Sequence, residues 1–248
     1  MPDSGPKPKP QPRSRPAQAR SGGPGGARAG RARAAQPKPS VPETAPRLAA
    51  RPGDRPPDLS AQLPHVLAVG EKYGYDAAHA THVAALASEL FRALGHIHGL
   101  EPEWEIPLRH AALLHDIGYF VHARRHHRHS RYLILADAVL DDYPDPWRAV
   151  MALIARNHRR RAVAAPRRWG PRRRPAAMLA AILRIADGLD YGHDAAASLH
   201  LVRLRRGGLE IAVSGLRLHA IEPVLRKKSA LFTKVFALPV TFVAAVEG

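Results

Sequence analysis

Apolar residues recur at intervals of three and four along most of the chain between residues 59 and 190, which predicts a series of amphipathic helices. The clearest helix is expected over 76–99, where Asp76 is a good N-cap and Gly99 ends the pattern. Its apolar stripe consists of Val83, Leu86, Ala87, Leu90, Phe91 and Leu94. The other predicted helices are 59–74, 101–115, 131–140, 145–158 with Asp145 and Pro146 as N-cap and first residue, and 176–190.

Beyond residue 195 the period shortens to two. The segments SLHLVRL and LEIAVSG alternate on either side of Arg206–Gly207–Gly208, which predicts a hairpin. An amphipathic helix over 222–237 and a strand over 238–246 follow. The predicted fold is therefore mainly α, a helical bundle with a small ββαβ appendage.

Residues 1–58 carry Pro, Gly, Arg and Lys and almost no large apolar side chain. Such a segment cannot bury enough surface to offset its ordering entropy, so it is predicted to be a disordered tail. The simplest interpretation is a solvated basic tail, and a sharper one is a tether for nucleic acid or another polyanion. It lacks the interleaved aromatic residues that stack on bases. A transit peptide is a third, weaker interpretation, because prolines and glycines break any amphipathic helix.

The 248 residues include 38 Lys and Arg against 21 Asp and Glu, a formal charge of +17 that favours anionic partners. The absence of cysteine excludes disulfides, thiolate zinc sites and a cysteine nucleophile. No apolar run reaches the roughly 18–20 residues of a membrane span, and no secretory signal is visible. A cytoplasmic protein is expected. The oligomeric state stays open, with a dimer plausible.

Fifteen histidines are many for this length, and several of them stand beside apolar helical sequence together with an aspartate. The candidate metal ligands are His79, His115, Asp116, His129, His158 and Asp187. Each has an ordinary alternative: His79 as a hydrogen-bonded core histidine, His158 as a solvated helix end, and Asp187 as a partner of Arg184. The set as a whole favours a site for one or two divalent ions, of Mn, Fe, Co, Ni, Zn or Mg.

The order H…HD…H…H…D resembles the HD-domain metal-dependent phosphohydrolase superfamily. The segments AALLHDIGYF, HHRHSRYLI, IARNHRR and LAAILRIADGLDYGH are similar to the C-terminal HD region of the exopolyphosphatase/guanosine pentaphosphate phosphohydrolase family, and the similarity extends over about 70–248. That family's phosphatase site lies in an N-terminal actin-like fold, which residues 1–58 cannot encode. The expected organisation is a tail (1–58), an HD-type metal-binding domain (59–195) and an α+β subdomain (196–248).

The resemblance implies that His79, His115, Asp116 and Asp187 are core metal ligands. It implies further that His129 and His158 support a second ion, with Asp116 as the bridge. His126 and His127 are alternatives to His129, and His82 is a weaker alternative to His79. Asp190 and His193 are expected near the pocket.

We therefore expect hydrolysis of a phosphate ester or phosphoanhydride, in a nucleotide, an alarmone or polyphosphate, with His115 and Asp116 at the catalytic centre. The arginines available to hold phosphate are Arg124, Arg125, Arg128, Arg131 and Arg159, and more weakly Arg160. One alternative is a metal-containing binding or regulatory module for polyphosphate, nucleotide or RNA that does not turn over. Another is the di-iron oxygenase chemistry that a minority of HD-type proteins perform.

Overall fold

The computed structural model describes residues 55–160, 162 and 164–245. Its helices and strands are α1 Leu63–Lys72, α2 Ala77–Ala93, α3 Gly95–His98, α4 Glu105–Leu114, α5 His126–Ala136, α6 Trp147–Arg156, α7 Arg173–Leu189, β1 Ser198–Arg205, β2 Gly208–Ser214, α8 Leu218–Phe236 and β3 Val240–Ala244. Short 3-10 turns span Ser60–Gln62, Pro102–Trp104, Ile117–Phe120, Ala138–Leu140 and Arg167–Arg172. The prediction of a mainly helical chain ending in ββαβ is confirmed. The predicted disordered tail lies outside the described residues, except for its last four positions.

Helix α7 is the centre of the helical bundle. Nearly every residue from Pro175 to Leu189 is buried, because α2, α4, α6 and α8 all pack against it. A helix that is apolar on every side is stable only when neighbours surround it. Asp187, near the end of α7, is thereby held in the interior, with 8% of its surface exposed.

Helix α2 starts where the sequence predicts but ends earlier. The side chain of Asp76 accepts a hydrogen bond from the backbone N–H of His79 at 3.1 Å, so Asp76 is the N-cap. The helix stops at Ala93, and the separate turn α3 precedes Gly99, whose φ of 61° is left-handed. The predicted helix 76–99 is therefore two helices. Helix α6 also differs from the prediction, since it begins at Trp147 with Pro146 in the N-cap position and no side-chain cap.

The segment HHRHS is the first turn of helix α5, although the predicted helix began only at residue 131. Gly118 explains how closely this turn approaches the end of α4. A Cβ atom on Gly118 would lie 2.1 Å from the carbonyl oxygen of His126 and 2.5 Å from the backbone nitrogen of Ser130. No residue larger than glycine fits, so Gly118 is what allows α5 to start beside the His115–Asp116 pair.

The C-terminal sheet has the order β1-β2-β3. Strands β1 and β2 are antiparallel across the tight turn at Arg206–Gly207, and β2 and β3 are parallel, joined by α8. Helix α8 covers α7 at close range, because a Cβ on Gly188 would lie 3.0 Å from Cγ of Lys228. This contact brings the lysines of α8 to the end of α7. Among the described residues, no helix combines the length and apolar character needed to cross a membrane.

One buried carboxylate outside the histidine-rich region provides a test of the fold. Asp137 accepts hydrogen bonds from Lys72 Nζ at 2.8 Å and Tyr73 Oη at 2.5 Å, and it caps the turn at Val139. Burial raises its pKa, but these donors outweigh that effect and hold the pKa of Asp137 below its ordinary value. The ionised carboxylate therefore stabilises the contact between α1 and the segment after α5.

Asp137→Asn is expected to lower the free energy of unfolding by about 1–3 kcal/mol at pH 7, because charge-assisted hydrogen bonds to a buried group are lost. The loss should shrink as the pH falls below the ordinary pKa of aspartate, since a lowered folded-state pKa stabilises only above that range. Urea unfolding at several pH values measures it. Asp141→Asn is the control: Asp141 is exposed, and its ion pair with Arg148 should contribute less than about 0.5 kcal/mol. Equal losses in the two variants would contradict this assignment.

Candidate metal centre

Asp116 lies just beyond α4, between two pairs of histidines. Its Oδ1 atom is 3.0 Å from Nε2 of His126 and 3.3 Å from Nε2 of His158. Its Oδ2 atom is 3.5 Å from Nε2 of His115 and 4.0 Å from Nε2 of His79. The two triads His79–His115–Asp116 and Asp116–His126–His158 therefore share one carboxylate. Each triad has the residue types and spacing that could hold a metal ion.

The Nδ1 atoms of three of these histidines make the same local hydrogen bond to the backbone. His115, His126 and His158 each place Nδ1 against the carbonyl oxygen of the alanine three residues earlier, at 2.6, 3.1 and 2.7 Å. A carbonyl only accepts hydrogen bonds, so each Nδ1 carries the proton and donates it. His79 Nδ1 lies 2.7 Å from Oδ2 of Asp190, which fixes its proton in the same way. In the neutral form of each ring, Nε2 is then left with a lone pair.

These lone pairs face one another at short range. The Nε2 atoms of His79 and His115 are 3.3 Å apart, and those of His126 and His158 are 3.1 Å apart. Two unprotonated nitrogens cannot hydrogen-bond to each other. Asp116 Oδ1 adds to the mismatch, since it is buried and accepts no hydrogen bond from the described residues. The arrangement leaves several hydrogen-bond acceptors close together in the interior without donors.

Protonation of the imidazoles would provide the missing donors, but burial makes it unfavourable for two of the rings. Burial, followed by the proximity of His115, lowers the pKa of His79, and burial lowers the pKa of His158 well below its ordinary value. Both rings are thus neutral at physiological pH, the form in which histidine binds metals. The donor set fits one or two divalent ions: neutral imidazole nitrogens converge on a shared carboxylate, and the opposite ring nitrogens are hydrogen-bonded.

Asp187 stands at the edge of this group. Its Oδ1 atom is 3.9 Å from Nε2 of His115, and its Oδ2 atom accepts a hydrogen bond from Lys228 Nζ. Burial opposes ionisation, but Lys228 and the neighbouring imidazoles hold the pKa of Asp187 below its ordinary value. The partner of Asp187 is thus Lys228 and not Arg184, whose guanidinium donates to the backbone carbonyls of Asn157 and Arg160.

Three further residues hold the ligands in place. Asp190 is fully buried and also accepts the backbone N–H of Ala195 at 2.9 Å, which fixes its carboxylate against His79. His193 stacks on the ring of His79 with the centroids 3.7 Å apart. Ser130 Oγ donates to the carbonyl oxygen of His115 at 2.6 Å and accepts from the N–H of Gly118. The sequence pointed to Asp190 and His193 but not to Ser130, because one serine in a helical segment carries no distinguishing signal.

The centre opens into a cleft of about 540 Å³, lined by Asp116, His126, His158 and Asp187 on its floor. Five cationic residues line it: Arg159, Arg160, Arg184, Lys227 and Lys228. Tyr119 covers one side and stacks on His126 with the ring centroids 3.9 Å apart. Lys227 and Lys228 were missed from the sequence, because α8 looks like an ordinary amphipathic helix until it is seen packed on α7.

The structure brings five of the six predicted ligands to this centre. The sixth, His129, is only half-buried, and His126 lies in the position that was expected for it. The reason is the position at which α5 starts. His126 lies on the first turn of α5, which packs against Gly118, and Ser130, four residues later, is buried on the same face of the helix. His82 and His127 belong to neither triad.

The predicted phosphate-binding arginines fall into separate groups. Arg159 and Arg160 line the cleft, as expected from their position after His158. Arg124, Arg125 and Arg128 line a different cavity. Arg131 is exposed and lines neither of these cavities. The sequence neighbourhood of a ligand therefore did not determine which arginines face it.

Residues 64–222 match the family model described as Ppx/GppA phosphatase, domain III. The chain belongs to this family. No curated protein matches the chain. The matched segment contains every residue of both triads together with Asp187 and Asp190, and it ends within α8, before Lys227 and Lys228. The resemblance expected from the sequence is thus supported for the Ppx/GppA C-terminal region over this range.

His126→Ala is expected to weaken Mn²⁺ binding by at least about tenfold and to reduce the number of ions bound, because it removes one donor of a triad. His129→Ala is the matched control, a histidine on the same helix that lies outside both triads, and it should bind as wild type. Calorimetric titration with Mn²⁺ and elemental analysis of both proteins give the answer. Weaker binding in His129→Ala alone would restore the original ligand assignment.

Asp190→Asn is expected to reduce metal affinity by about 10–100-fold while the fold persists, because the carboxylate that orients His79 becomes an amide. Asp194→Asn, at an exposed residue of the same turn, should leave the affinity unchanged. The readouts are Mn²⁺ titration and thermal unfolding of the metal-free proteins. Unaltered Mn²⁺ affinity in Asp190→Asn would show that this carboxylate does not support the centre.

Proposed function

We propose that this member of the Ppx/GppA domain III family is a metal-dependent phosphohydrolase of the HD type. The observation that carries the proposal is the convergence of four histidine Nε2 atoms on the carboxylate of Asp116. A divalent cation shared among these donors would stabilise the group. Because Asp116 offers one oxygen to each histidine pair, the arrangement suits two ions bridged by that carboxylate.

The division of roles follows from the contacts. His79, His115 and Asp116 would hold one ion, and His126, His158 and Asp116 the other, while Asp187 Oδ1 is available from the side of His115. Divalent metal ions at such a site supply Lewis-acid polarisation of a phosphoryl oxygen and lower the pKa of water. His115 and Asp116 lie at the middle of the group and are the residues on which the reaction would depend most.

The cationic residues of the cleft would bind the substrate. Arg159 Nη1 lies 3.2 Å from Nε2 of His126, so its guanidinium is next to the centre. Arg160, Lys227 and Lys228 add positive charge around the same opening. Cations in this position hold phosphoryl oxygens and neutralise the charge that develops on them. The substrate class we propose is a phosphate ester or phosphoanhydride, that is, a nucleotide, an alarmone or polyphosphate.

A second candidate is a metal-containing module that binds such anions without turnover. The observation in its favour is the ion pair between Lys228 and Asp187, which already satisfies one predicted ligand. Binding without turnover predicts a steep dependence of affinity on salt and no release of phosphate. A hydrolase predicts phosphate release that requires the metal. The di-iron oxygenase alternative would instead require iron and consume oxygen.

The decisive measurement is release of inorganic phosphate from p-nitrophenyl phosphate, nucleoside triphosphates and polyphosphate by the full-length protein loaded with Mn²⁺, Co²⁺ or Zn²⁺. Activity should disappear with a chelator and return with metal. Asp116→Asn should lower kcat more than about 100-fold, since it removes the charge shared by both triads. Lys227→Gln should chiefly raise KM.

Two results would count against metal-dependent hydrolysis at this centre. One is phosphate release that survives the chelator, and the other is an Asp116→Asn protein as active as wild type. Metal binding without any phosphate release, on the whole substrate panel, would favour the binding module.

A further inference from the structure

A second cavity, of about 360 Å³, shares Arg160 with the metal cleft. We call it the arginine pocket; its lining residues are Arg124, Arg125, His127, Arg128, Arg156 and Arg160. It contains no acidic residue. Five guanidinium groups around one cavity repel one another, and solvent reduces this repulsion at the four that are exposed, Arg124, Arg125, Arg128 and Arg160.

The described part of the chain provides no acidic partner for these arginines. None of the five forms an ion pair there. Arg156 is the most enclosed, and its Nη1 atom is buried without a hydrogen-bond partner among the described residues. A buried donor left unsatisfied is destabilising. Such groups in a folded protein call for an explanation, and a bound ion is a common one.

Two residues of the pocket are enclosed by the fold. His127 is buried and Arg156 is partly buried, whereas the other four arginines are exposed. The unpartnered Nη1 atom of Arg156 therefore belongs to a cavity whose lining carries cations and no anion.

The backbone also adopts costly conformations here. Arg125, at the N-cap of α5, has a φ of 67°, and Arg160 has a φ of 62°. The left-handed region is unfavourable for a residue with a side chain. Two of the five arginines are therefore held where the local backbone preference opposes them, as often happens at binding sites.

We propose that the arginine pocket is an oxyanion site for a phosphate group, distinct from the metal centre. Guanidinium groups bind phosphate through paired N–H donors, and the buried Arg156 Nη1 gains the acceptor it lacks. The phosphate is either a free ion or the remote phosphate of a molecule whose other phosphate lies in the cleft, since Arg160 lines both cavities. The site does not depend on hydrolysis, because nothing in it requires the metal.

The test is binding of inorganic phosphate to metal-free, full-length protein at constant ionic strength, followed by calorimetry and by the rise in melting temperature. Arg156→Gln is expected to weaken phosphate binding by about tenfold or more, the factor that corresponds to one lost charge-assisted hydrogen bond. The matched control is Arg109→Gln, the same charge change at an exposed residue of α4 outside both cavities. It should bind phosphate as wild type.

The melting temperature without phosphate shows whether the Arg156→Gln protein is folded. Without phosphate, Arg156→Gln should melt at or above the wild-type temperature, because a source of repulsion has gone. Equal phosphate affinity in Arg156→Gln and Arg109→Gln would overturn the proposal and leave the pocket as a solvated cationic surface. Loss of binding in Lys227→Gln but not in Arg156→Gln would overturn it as well, since the phosphate would then lie in the metal cleft.

Adenosine 3′,5′-bisphosphate, as a second probe, distinguishes a free phosphate ion from the remote phosphate of a larger molecule. If the pocket takes the remote phosphate of a larger molecule, this probe should bind more tightly than inorganic phosphate, and both Arg156→Gln and Lys227→Gln should weaken it. If the pocket takes a free ion, Arg156→Gln should weaken both probes equally and Lys227→Gln neither. These measurements involve no turnover, so their failure is distinguishable from a failure of the proposed hydrolase activity.

Discussion

The site depends on the convergence of four imidazole Nε2 atoms on the carboxylate of Asp116, an arrangement that could hold a cation. Three of the rings have their other nitrogen fixed by the carbonyl of the alanine three residues earlier, and the fourth by Asp190. The position of the Nδ1 proton on each ring is thereby set by the backbone and by one buried acid. A cluster arranged in this way could hold a cation shared among its members.

Apolar packing in the helical bundle offsets the cost of burying this cluster, and α7 contributes much of that packing. Its buried surface supplies the packing, and its final turn brings Asp187 and Asp190 to the histidines of α2 and α4. The close approach at Gly188 then places α8 over the same end. The ββαβ subdomain is therefore part of the site, since α8 contributes Lys227 and Lys228 to the cleft.

The positive charge of the chain has a local meaning as well as a global one. A formal charge of +17 predicts affinity for anions in general. The described residues concentrate part of that charge in two cavities, one at the candidate metal centre and one lined by five arginines and His127. Arg160 lines both cavities.

The sequence by itself determined most of the helices, the ββαβ end and most of the candidate metal ligands, because these depend on local periodicity and on residue types. His79, His115, Asp116 and His158 could be named because each stands at a recognisable position in a helical pattern. Only the tertiary structure decided between His126 and His129, since that choice depends on where α5 starts against Gly118. It also decided that Lys228 pairs with Asp187 and that Arg124, Arg125 and Arg128 face away from the cleft. These facts arise from contacts between residues far apart in the chain, and no local pattern of apolar and polar positions encodes them.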